Sequence, residues 1–436
     1  MRFVTTRGGA AVSFSTALLA GLAPDGGLYV PESLEPWSAD EIARLKHRTL
    51  TEIGYRVLRP YTRGELDATL FEALVVDALS FPIPLVEVEP RVFALELFHG
   101  PTLAFKDVGA RLMARLMAAL DSGDQALTVL AATSGDTGSA VAHAFHRVPH
   151  TRVVVLYPDG RVSPTQEAQL TMFNAEAGNV RAYAVSGSFD DCHRLTRDAF
   201  ADPELTARAR LTSANSVNVG RLLPQMVYYF HAVAQLAVRL PTDSTGADLL
   251  MCTPSGNFGN LTAGLMAKRT GLPVSQFIAA TNINDVVPAY LTTGRFVPRP
   301  SVQTLANAMD VGHPSNFERM LWLYGGDVDA MRRDVAGSRH DDDDVRATIK
   351  RVHDEHGYVL DPHSAIAFRG LKAVLAPGHR GIFLATAHPA KFREIVEPVL
   401  GRPIDTPAPL ADALAGPRHI LRIPATLGAV AGVLDD

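Results

Sequence analysis

The sequence has few cysteines and tryptophans, no excess of basic charge and no long apolar run. Its 436 residues include two cysteines and two tryptophans, and 41 basic residues are outnumbered by 46 acidic ones. Two cysteines cannot form a disulfide framework, so we expect a reducing compartment and a cytoplasmic protein. The acidic balance argues against a general nucleic-acid binder. No segment approaches the ~18 apolar residues that a membrane span needs.

Two common nucleotide-binding motifs are also missing. The sequence contains no G-x-x-x-x-G-K-[ST] and no G-x-G-x-x-G, which excludes a P-loop and the dinucleotide fingerprint. It does contain 34 glycines. Several of them lie in short loops between β-rich stretches and amphipathic stretches, where a ligand could approach the backbone.

From Val92 onward, β-rich stretches alternate with amphipathic stretches, whereas the first 85 residues read as short helices and turns. The alternation predicts parallel sheets covered by helices on both faces, with ligands at the carboxyl ends of the strands. We predict strands at 92–98, 127–131, 151–157, 180–185, 248–253, 277–281 and 382–385, and helices at 107–120, 139–146, 189–200, 221–238 and 260–269. The proline- and alanine-rich tail after Gly401 is interpreted as a surface segment.

Lys106 lies in an unusual strand-to-helix loop, His99–Asp107. It falls at a predicted helix start, where the helix dipole disfavours a cation, and burial of its apolar neighbours Leu103–Phe105 would lower its pKa further. A lysine so placed is a candidate imine-forming nucleophile. This loop alone favours the alternative of a surface lysine paired with Asp107.

Two glycine-rich loops, Thr133–Ser139 and Pro254–Asn260, each follow a predicted strand and open a predicted helix. Backbone N–H groups at such a helix start favour an anion. Each loop alone is also compatible with an ordinary helix entry turn. Two anion cradles together with a helix-start lysine indicate a phosphorylated carbonyl cofactor held by its phosphate and by an imine, which describes pyridoxal phosphate.

At these loops the sequence resembles the threonine synthase family, in its longer form with an N-terminal domain. The resemblance runs in order along nearly the whole chain and includes GLAPDGGLYVPE near the N-terminus. The motifs that carry it are FHGPTLAFKD, ATSGDTGSA, SANSVNVGRLLPQ, PSGNFGNLTAG, FIAATNIND, TLANAMDVG, DPHSA and TAHPAKF.

The resemblance implies a two-lobed α/β fold of the pyridoxal-phosphate fold type II (tryptophan synthase β-like), with parallel sheets flanked by helices and a small N-terminal domain. We expect that domain over 1–85, the large cofactor-binding lobe over 86–120 and 210–436, and the small lobe over 121–209. It also implies conversion of O-phospho-L-homoserine and water to L-threonine and phosphate by a β,γ-replacement. The protein would then be a lyase of threonine biosynthesis, in the aspartate-family pathway.

The resemblance further implies a role for each motif residue. Lys106 would hold pyridoxal 5'-phosphate as a Schiff base and shuttle protons, and Thr386 would face the pyridine nitrogen. The loop residues Gly256, Asn257, Phe258, Gly259 and Asn260 would hold the cofactor phosphate. The substrate would be surrounded by Ser134, Asp136, Thr137, Asn215, Ser216 and Arg221. Asp136 is the least expected of these, since a carboxylate repels phosphate.

Two other functions stay open at this point. A serine/threonine dehydratase would share the cofactor, although its substrate has no phosphate for Arg221 to bind. A binding protein that has lost turnover would not need Lys106. A metal site at His143, His146, His353, His356 or His388 is disfavoured, because zinc needs three or four converging ligands. We expect a small-molecule substrate, no nucleic-acid or membrane partner, and a monomer or homodimer.

Overall fold

The computed structural model describes residues 1–133, 135–175, 178–239 and 248–435. The N-terminal segment is built from short helices and a two-stranded antiparallel sheet. Its elements are β1 (Phe3–Thr5), α1 (Phe14–Ala20), β2 (Tyr29–Pro31), α2 (Ala39–Ala43), α3 (Leu50–Thr62) and α4 (Ala68–Ala78). The rings of Phe3 and Phe14 lie 5.5 Å apart at the centre of an apolar cluster that continues into the rest of the chain.

The middle of the chain alternates strands with helices, as the sequence pattern predicted. Its elements are β3 (Leu85–Glu89), β4 (Val92–Glu96), α5 (Lys106–Leu120), β5 (Leu127–Ala132), α6 (Asp136–Phe145), β6 (Thr151–Pro158), α7 (Pro164–Thr171), β7 (Val180–Ser186), α8 (Phe189–Ala201), α9 (Pro203–Ala209) and β8 (Leu211–Ser213). Ser163 caps α7 with a reciprocal bond to Gln166, and Pro164 occupies the first turn.

The second half continues the same pattern. Its elements are α10 (Val219–Leu222), α11 (Gln225–Arg239), β9 (Leu249–Pro254), α12 (Gly259–Arg269), β10 (Gln276–Thr281), α13 (Val286–Thr293), α14 (Phe317–Leu323), α15 (Val328–Asp334), β11 (Val335–Arg339), α16 (Asp342–His356), α17 (Pro362–Val374), β12 (Arg380–Ala385), α18 (Arg393–Leu400), α19 (Ala408–Ala415), β13 (Leu421–Pro424) and α20 (Leu427–Asp435). Within the described ranges, no helix is long and apolar enough to cross a membrane.

The strands form two larger sheets, each flanked by helices. The six-stranded sheet has the order β11-β10-β9-β12-β4-β3, and all its neighbours are parallel except the edge pair β3 and β4. The five-stranded sheet has the order β13-β7-β6-β5-β8 and is wholly parallel. The interior strand β5, between β6 and β8, is buried at every position, as expected of a strand covered on both faces. The predicted fold class is confirmed.

Two local expectations are wrong. Arg221 does not open a long helix: it lies inside the one-turn α10, which Asn218 caps by accepting from the Gly220 N–H. Pro224, which lacks an N–H, separates α10 from α11. The tail after Gly401 is more than a surface segment, because β13 pairs with β7 and buries Ile423. β8 and β13, which fall within the range 210–436, belong to the same five-stranded sheet as β5, β6 and β7. The division into lobes at 121–209 and 210–436 stays a prediction.

Candidate active site

A cavity lies where the carboxyl ends of strands from both sheets meet. Its walls come from the segments that follow β4, β9 and β12 in the six-stranded sheet and β5 and β8 in the five-stranded sheet. The predicted site residues that line it are Lys106, Asp136, Thr137, Asn215, Ser216, Arg221, Gly256, Asn257, Phe258, Gly259, Asn260 and Thr386. Ser134, the remaining predicted residue, lies outside the described residues. The structure thus brings these residues together, and their individual roles stay predictions.

Lys106 is the first residue of α5, and its side chain is 14% exposed. Burial lowers the pKa of its amine to about 8, an effect that the Asp136 carboxylate opposes and the Lys391 ammonium reinforces. Asp107 does not pair with it, since the Asp107 carboxylate accepts from the N–H and the hydroxyl of Thr102. The alternative of a surface lysine is therefore wrong, and the amine is available in its nucleophilic form near neutral pH.

The loop 256–260 presents the N-terminus of α12 to the cavity. Phe258 has a left-handed backbone with φ of 60°, and α12 has no acidic residue in its first turn. The first backbone bond of the helix runs from the Thr262 N–H to the Phe258 carbonyl, so the preceding N–H groups have no helical partners. Of these, the Leu261 N–H donates to the Asn260 side chain at 2.9 Å. A Cβ on Gly256 would lie 2.6 Å from the Ala308 carbonyl oxygen, which explains the glycine.

The two asparagines of this loop hold its shape. The Asn260 amide donates to the Pro254 carbonyl at 2.8 Å and accepts from the Ser255 hydroxyl. The Asn257 side chain accepts from the Ser315 N–H at 2.9 Å. With the loop held in this shape, it offers an anion its backbone N–H groups and the positive end of α12.

The second glycine-rich loop, 133–138, opens α6. Thr133 closes it by accepting from the N–H groups of Gly135 and Gly138 at 2.9 and 2.8 Å. Asp136 is almost fully buried, with Oδ1 at 2.8 Å from Lys391 Nζ and Oδ2 at 3.8 Å from Lys106 Nζ. Burial alone would raise the pKa of this carboxyl, but the two ammonium groups hold it well below its usual range. Asp136 is thus ionised, and the neighbouring lysines balance its charge. The expected repulsion between this carboxylate and a phosphate is therefore reduced.

Arg221 lines the cavity at 4% exposure. One of its terminal nitrogens donates to the Ala214 carbonyl at 2.7 Å, whereas its Nε has no hydrogen-bond partner in the part of the chain described. None of the acidic groups described lies within salt-bridge distance of it, and burial lowers its pKa to about 10. A buried guanidinium without a carboxylate is costly unless a ligand supplies the negative charge.

Arg319 joins the N-terminal segment to the loop that leads to Arg221. It is fully buried, and its guanidinium donates to the carbonyls of Tyr29, Ser216 and Val217 and to the side chain of Asn316. Asn218 adds a bond to the Leu18 carbonyl. The N-terminal segment therefore supports the wall of the cavity that contains Ser216 and Arg221.

His363 is a cavity residue that sequence reasoning missed. Its Nδ1 lies 2.8 Å from the buried carboxylate of Asp361, and its Nε2 accepts from the Ala308 N–H at 3.2 Å. Since Nε2 is the acceptor, Nδ1 carries the proton. Ala308 packs against Gly256, so His363 fixes the backbone on which the 256–260 loop rests. Its place in the DPHSA motif was the available signal.

His388 and His99, two histidines close to the predicted loops, are not among the residues that line the cavity. The His388 ring accepts from the Ala390 N–H and packs edge-on against Phe98, and burial lowers its pKa to about 4. His99 lies 2.7 Å from Glu96. Over the described ranges, no group of three or more histidine, cysteine, aspartate or glutamate side chains is placed to hold a metal ion.

The cavity residues fit a molecule with a phosphate at one end and a carbonyl at the other. The α12 N-terminus suits the phosphate, and the buried Lys106 amine suits the carbonyl. The family described as "Pyridoxal-phosphate dependent enzyme" matches residues 79–384. Fold and site together define a pyridoxal-phosphate-dependent enzyme of fold type II.

The ends of the chain narrow this class. "Threonine synthase N terminus" matches residues 2–79, and "Threonine synthase, C-terminal" matches residues 364–434. Threonine synthase of Escherichia coli K12 is 43% identical over 419 residues, which cover 96% of this chain and 95% of that protein. The chain belongs to the threonine synthase family. It is accordingly a pyridoxal-phosphate-dependent lyase of threonine biosynthesis.

Solved structures agree with this assignment. The E. coli threonine synthase structure has a TM-score of 0.93 at 42% identity and covers 100% of this chain and 99% of its own. The structure of threonine synthase from Brucella melitensis, described as bound to pyridoxal phosphate, has a TM-score of 0.92 at 38% identity, with coverage of 100% and 98%. A threonine deaminase from Solanum lycopersicum has a TM-score of 0.56 at 16% identity, covering 89% and 96%, which shows a shared fold alone.

Proposed function

We propose that the substrate of this enzyme is O-phospho-L-homoserine, which it converts with water to L-threonine and phosphate. The observation that carries this proposal is the presence of two separate places for an anion in one cavity. The α12 N-terminus takes the phosphate of the cofactor. Arg221, buried and lacking a carboxylate partner among the described residues, takes the phosphate of the substrate.

Within this proposal Lys106 both anchors the cofactor and moves protons. When bound, pyridoxal phosphate withdraws electrons from the substrate carbon that carries the amino group. An amine with a pKa of about 8 can accept a proton from that carbon and return it, since both of its protonation states are accessible near neutral pH. Thr386, at the end of β12, offers the pyridine nitrogen a neutral hydroxyl.

The substrate-side residues orient the molecule around this lysine. We assign the substrate carboxylate to the N-terminus of α6, with Thr137, because a helix start favours an anion and the acidic residue of this turn, Asp136, is balanced by Lys391. Asn215, whose amide donates to the Ala132 carbonyl at 3.2 Å, and Ser216 close the wall beside Arg221. Positioning of this kind contributes to rate by fixing the reacting atoms in one geometry.

A serine/threonine dehydratase would use the same cofactor, but its substrate would give the buried guanidinium of Arg221 nothing to bind. A serine or threonine substrate carries one anionic group, the carboxylate, and α6 already provides for it. The guanidinium would then remain buried with no carboxylate at salt-bridge distance among the described residues and only the longer-range attraction of Asp107, which is unfavourable. The two-anion cavity therefore favours the phosphorylated substrate.

The test is release of inorganic phosphate from O-phospho-L-homoserine, compared with release of ammonia from L-threonine. We expect phosphate release with threonine as product. Arg221→Met should raise KM for the phosphorylated substrate by about 100-fold or more, as loss of a charge-assisted bidentate contact does, while the protein stays yellow. Arg115→Met, which breaks an ion pair with Asp77 away from the cavity, is the matched control. Ammonia release without phosphate release would overturn the proposal.

We further infer a cytoplasmic enzyme, because both cysteines are buried free thiols. A monomer or a homodimer remains the prediction for its assembly. The division into an N-terminal domain over 1–85 and two lobes remains the prediction for its domains.

A further inference from the structure

Lys391 does not line the cavity itself but contacts Asp136, which does. Its side chain is fully buried in the short 3-10 helix Pro389–Phe392 that follows Thr386. Its ammonium donates to the Thr102 carbonyl at 2.8 Å and lies 2.8 Å from Asp136 Oδ1. The other oxygen of that carboxylate, Oδ2, lies 3.8 Å from Lys106 Nζ. One carboxylate is thus placed between two lysines and is hydrogen-bonded to only one of them.

We propose that Lys391 is a positioning residue: it holds the Asp136 carboxylate and neutralises it, so that the nearby Lys106 nitrogen is not fixed in its charged form. The inference deepens the proposed function, because it rests on Lys106 as the imine-forming residue. Without Lys391, the buried carboxylate would have Lys106 as its nearest cation. A movement of less than about 1 Å would bring the two within hydrogen-bond distance.

Other contacts of the Asp136 carboxylate support this role of Lys391. Oδ1 also accepts from Gln166 at 3.2 Å, so a second donor from α7 helps keep that oxygen turned toward Lys391. Asp136 belongs to α6, which follows a strand of the five-stranded sheet, whereas Lys391 follows β12 of the six-stranded sheet. The bond therefore joins the two sheets directly beside Lys106.

The remaining charges around Lys106 are few. The charged and titratable groups that act on its nitrogen or on the Asp136 carboxylate are Lys391, Arg221 on α10, Asp361 before α17 and His363 on α17. In the described part of the chain, Asp136 is the nearest anion to this nitrogen. Removing either member of the Asp136–Lys391 pair should therefore change the electrostatic potential at the Lys106 nitrogen. Removing both should nearly restore the wild-type potential.

The test uses the yellow holoenzyme and follows its visible absorbance as a function of pH, which reports protonation at the Lys106 nitrogen without any turnover. Lys391→Met leaves the carboxylate uncompensated and should raise the midpoint by about one pH unit or more; Asp136→Asn leaves the ammonium uncompensated and should lower it. The double variant should lie between them, near the wild-type midpoint. Lys391→Arg, which retains the charge, should stay close to wild type.

Lys268→Met is the matched control, because it breaks a 2.8 Å ion pair with Asp334 away from the cavity. It should leave the midpoint unchanged. A yellow Lys391→Met protein with the wild-type midpoint would overturn the inference. If that variant does not fold, Asp136→Asn decides, and an unmoved midpoint there overturns it equally. A colourless wild-type protein would instead count against the proposed function.

Discussion

The backbone N–H of Phe105 donates to the carbonyl oxygen of Thr386 at 2.8 Å. The same two segments are joined by a bridge between Ala104 and Ala387 and by a bond from the His388 N–H to the Leu103 carbonyl. They continue beyond the neighbouring strands β4 and β12 as a short antiparallel ribbon. Main-chain bonds thus fix the positions of Lys106 and Thr386 relative to each other, as the proposed alignment of both side chains on one cofactor requires.

This relationship gives a prediction for Thr386. Thr386→Asp should lower kcat for phosphate release by about tenfold or more, because it places a charge next to the ring nitrogen where the family pattern has a neutral hydroxyl. Thr386→Val keeps the shape and should cost only a few-fold. Steady-state phosphate release, with absorbance to confirm cofactor content, measures both. A Thr386→Asp enzyme with wild-type kcat would show that this side chain does not face the ring nitrogen.

The loop 256–260, which we propose holds the cofactor phosphate, allows a matched pair of variants, Gly256→Ala and Gly259→Ala. In Gly256→Ala the new Cβ would lie 2.6 Å from the Ala308 carbonyl oxygen and 2.8 Å from Met309 Cα, both backbone atoms. We expect a loss of about 1–3 kcal/mol in the free energy of unfolding, together with weaker cofactor binding. Denaturant unfolding and a cofactor titration measure the two effects.

Gly259→Ala is the second variant of the pair. Its Cβ would lie 3.4 Å from the nearest side-chain atom, Asn316 Nδ2, so the free energy of unfolding should change by less than about 1 kcal/mol. Cofactor affinity should still fall, since the methyl group enters the wall that holds the phosphate. Equal destabilisation by both substitutions would contradict the described packing.

Arg319 provides a prediction about the N-terminal segment. Arg319→Lys cannot reproduce the bonds to the carbonyls of Tyr29, Ser216 and Val217. We expect it to lower the free energy of unfolding by about 2–4 kcal/mol and to raise KM for the phosphorylated substrate.

The control for Arg319 is Arg7→Lys. Arg7 also joins the N-terminal segment to α14, through Glu318, but it is 53% exposed, so solvent screens the pair and Arg7→Lys should leave the free energy of unfolding close to that of the wild type. If Arg319→Lys left KM unchanged while lowering stability, the segment would have no part in shaping the substrate wall.

The pKa of Lys106 predicts a pH dependence of stability for the cofactor-free protein. Burial lowers that pKa from 10.5 to about 8, so between these values the unfolded chain binds more protons than the folded one. Stability from this group therefore rises with pH across that window, by up to about 3 kcal/mol. Urea unfolding from about pH 7 to about pH 10 should show the rise in the wild-type protein and not in Lys106→Met. Parallel curves would contradict a buried amine.

Much of the site could be predicted, because its residues follow apolar strands directly in the sequence. The loops 99–107, 133–139 and 254–260 each lie at the carboxyl end of a strand, and the parallel topology brings such ends together. The partner of Asp136 could not be predicted in this way. Lys391 is far along the chain, and its burial depends on tertiary packing, although it belongs to the TAHPAKF motif.

Two elements escaped prediction for local reasons. A single side chain, Asn218, starts α10 before Arg221, and Pro224 ends the continuity that the apolar periodicity suggested. The tail reads as irregular because prolines and alanines dominate it, yet Ile423, Val430 and Leu434 bury against the five-stranded sheet. The spacing of these apolar residues could have indicated a buried face, but the proline and alanine content of the tail obscured it.

The most direct test of the account is to reduce the purified enzyme with borohydride and map the labelled peptide. Reduction fixes an imine between a lysine and pyridoxal phosphate as a stable amine. The account predicts a yellow protein and one label, on Lys106, with no label in Lys106→Arg. A label on another lysine, or a wild-type protein that binds no pyridoxal phosphate, would contradict it.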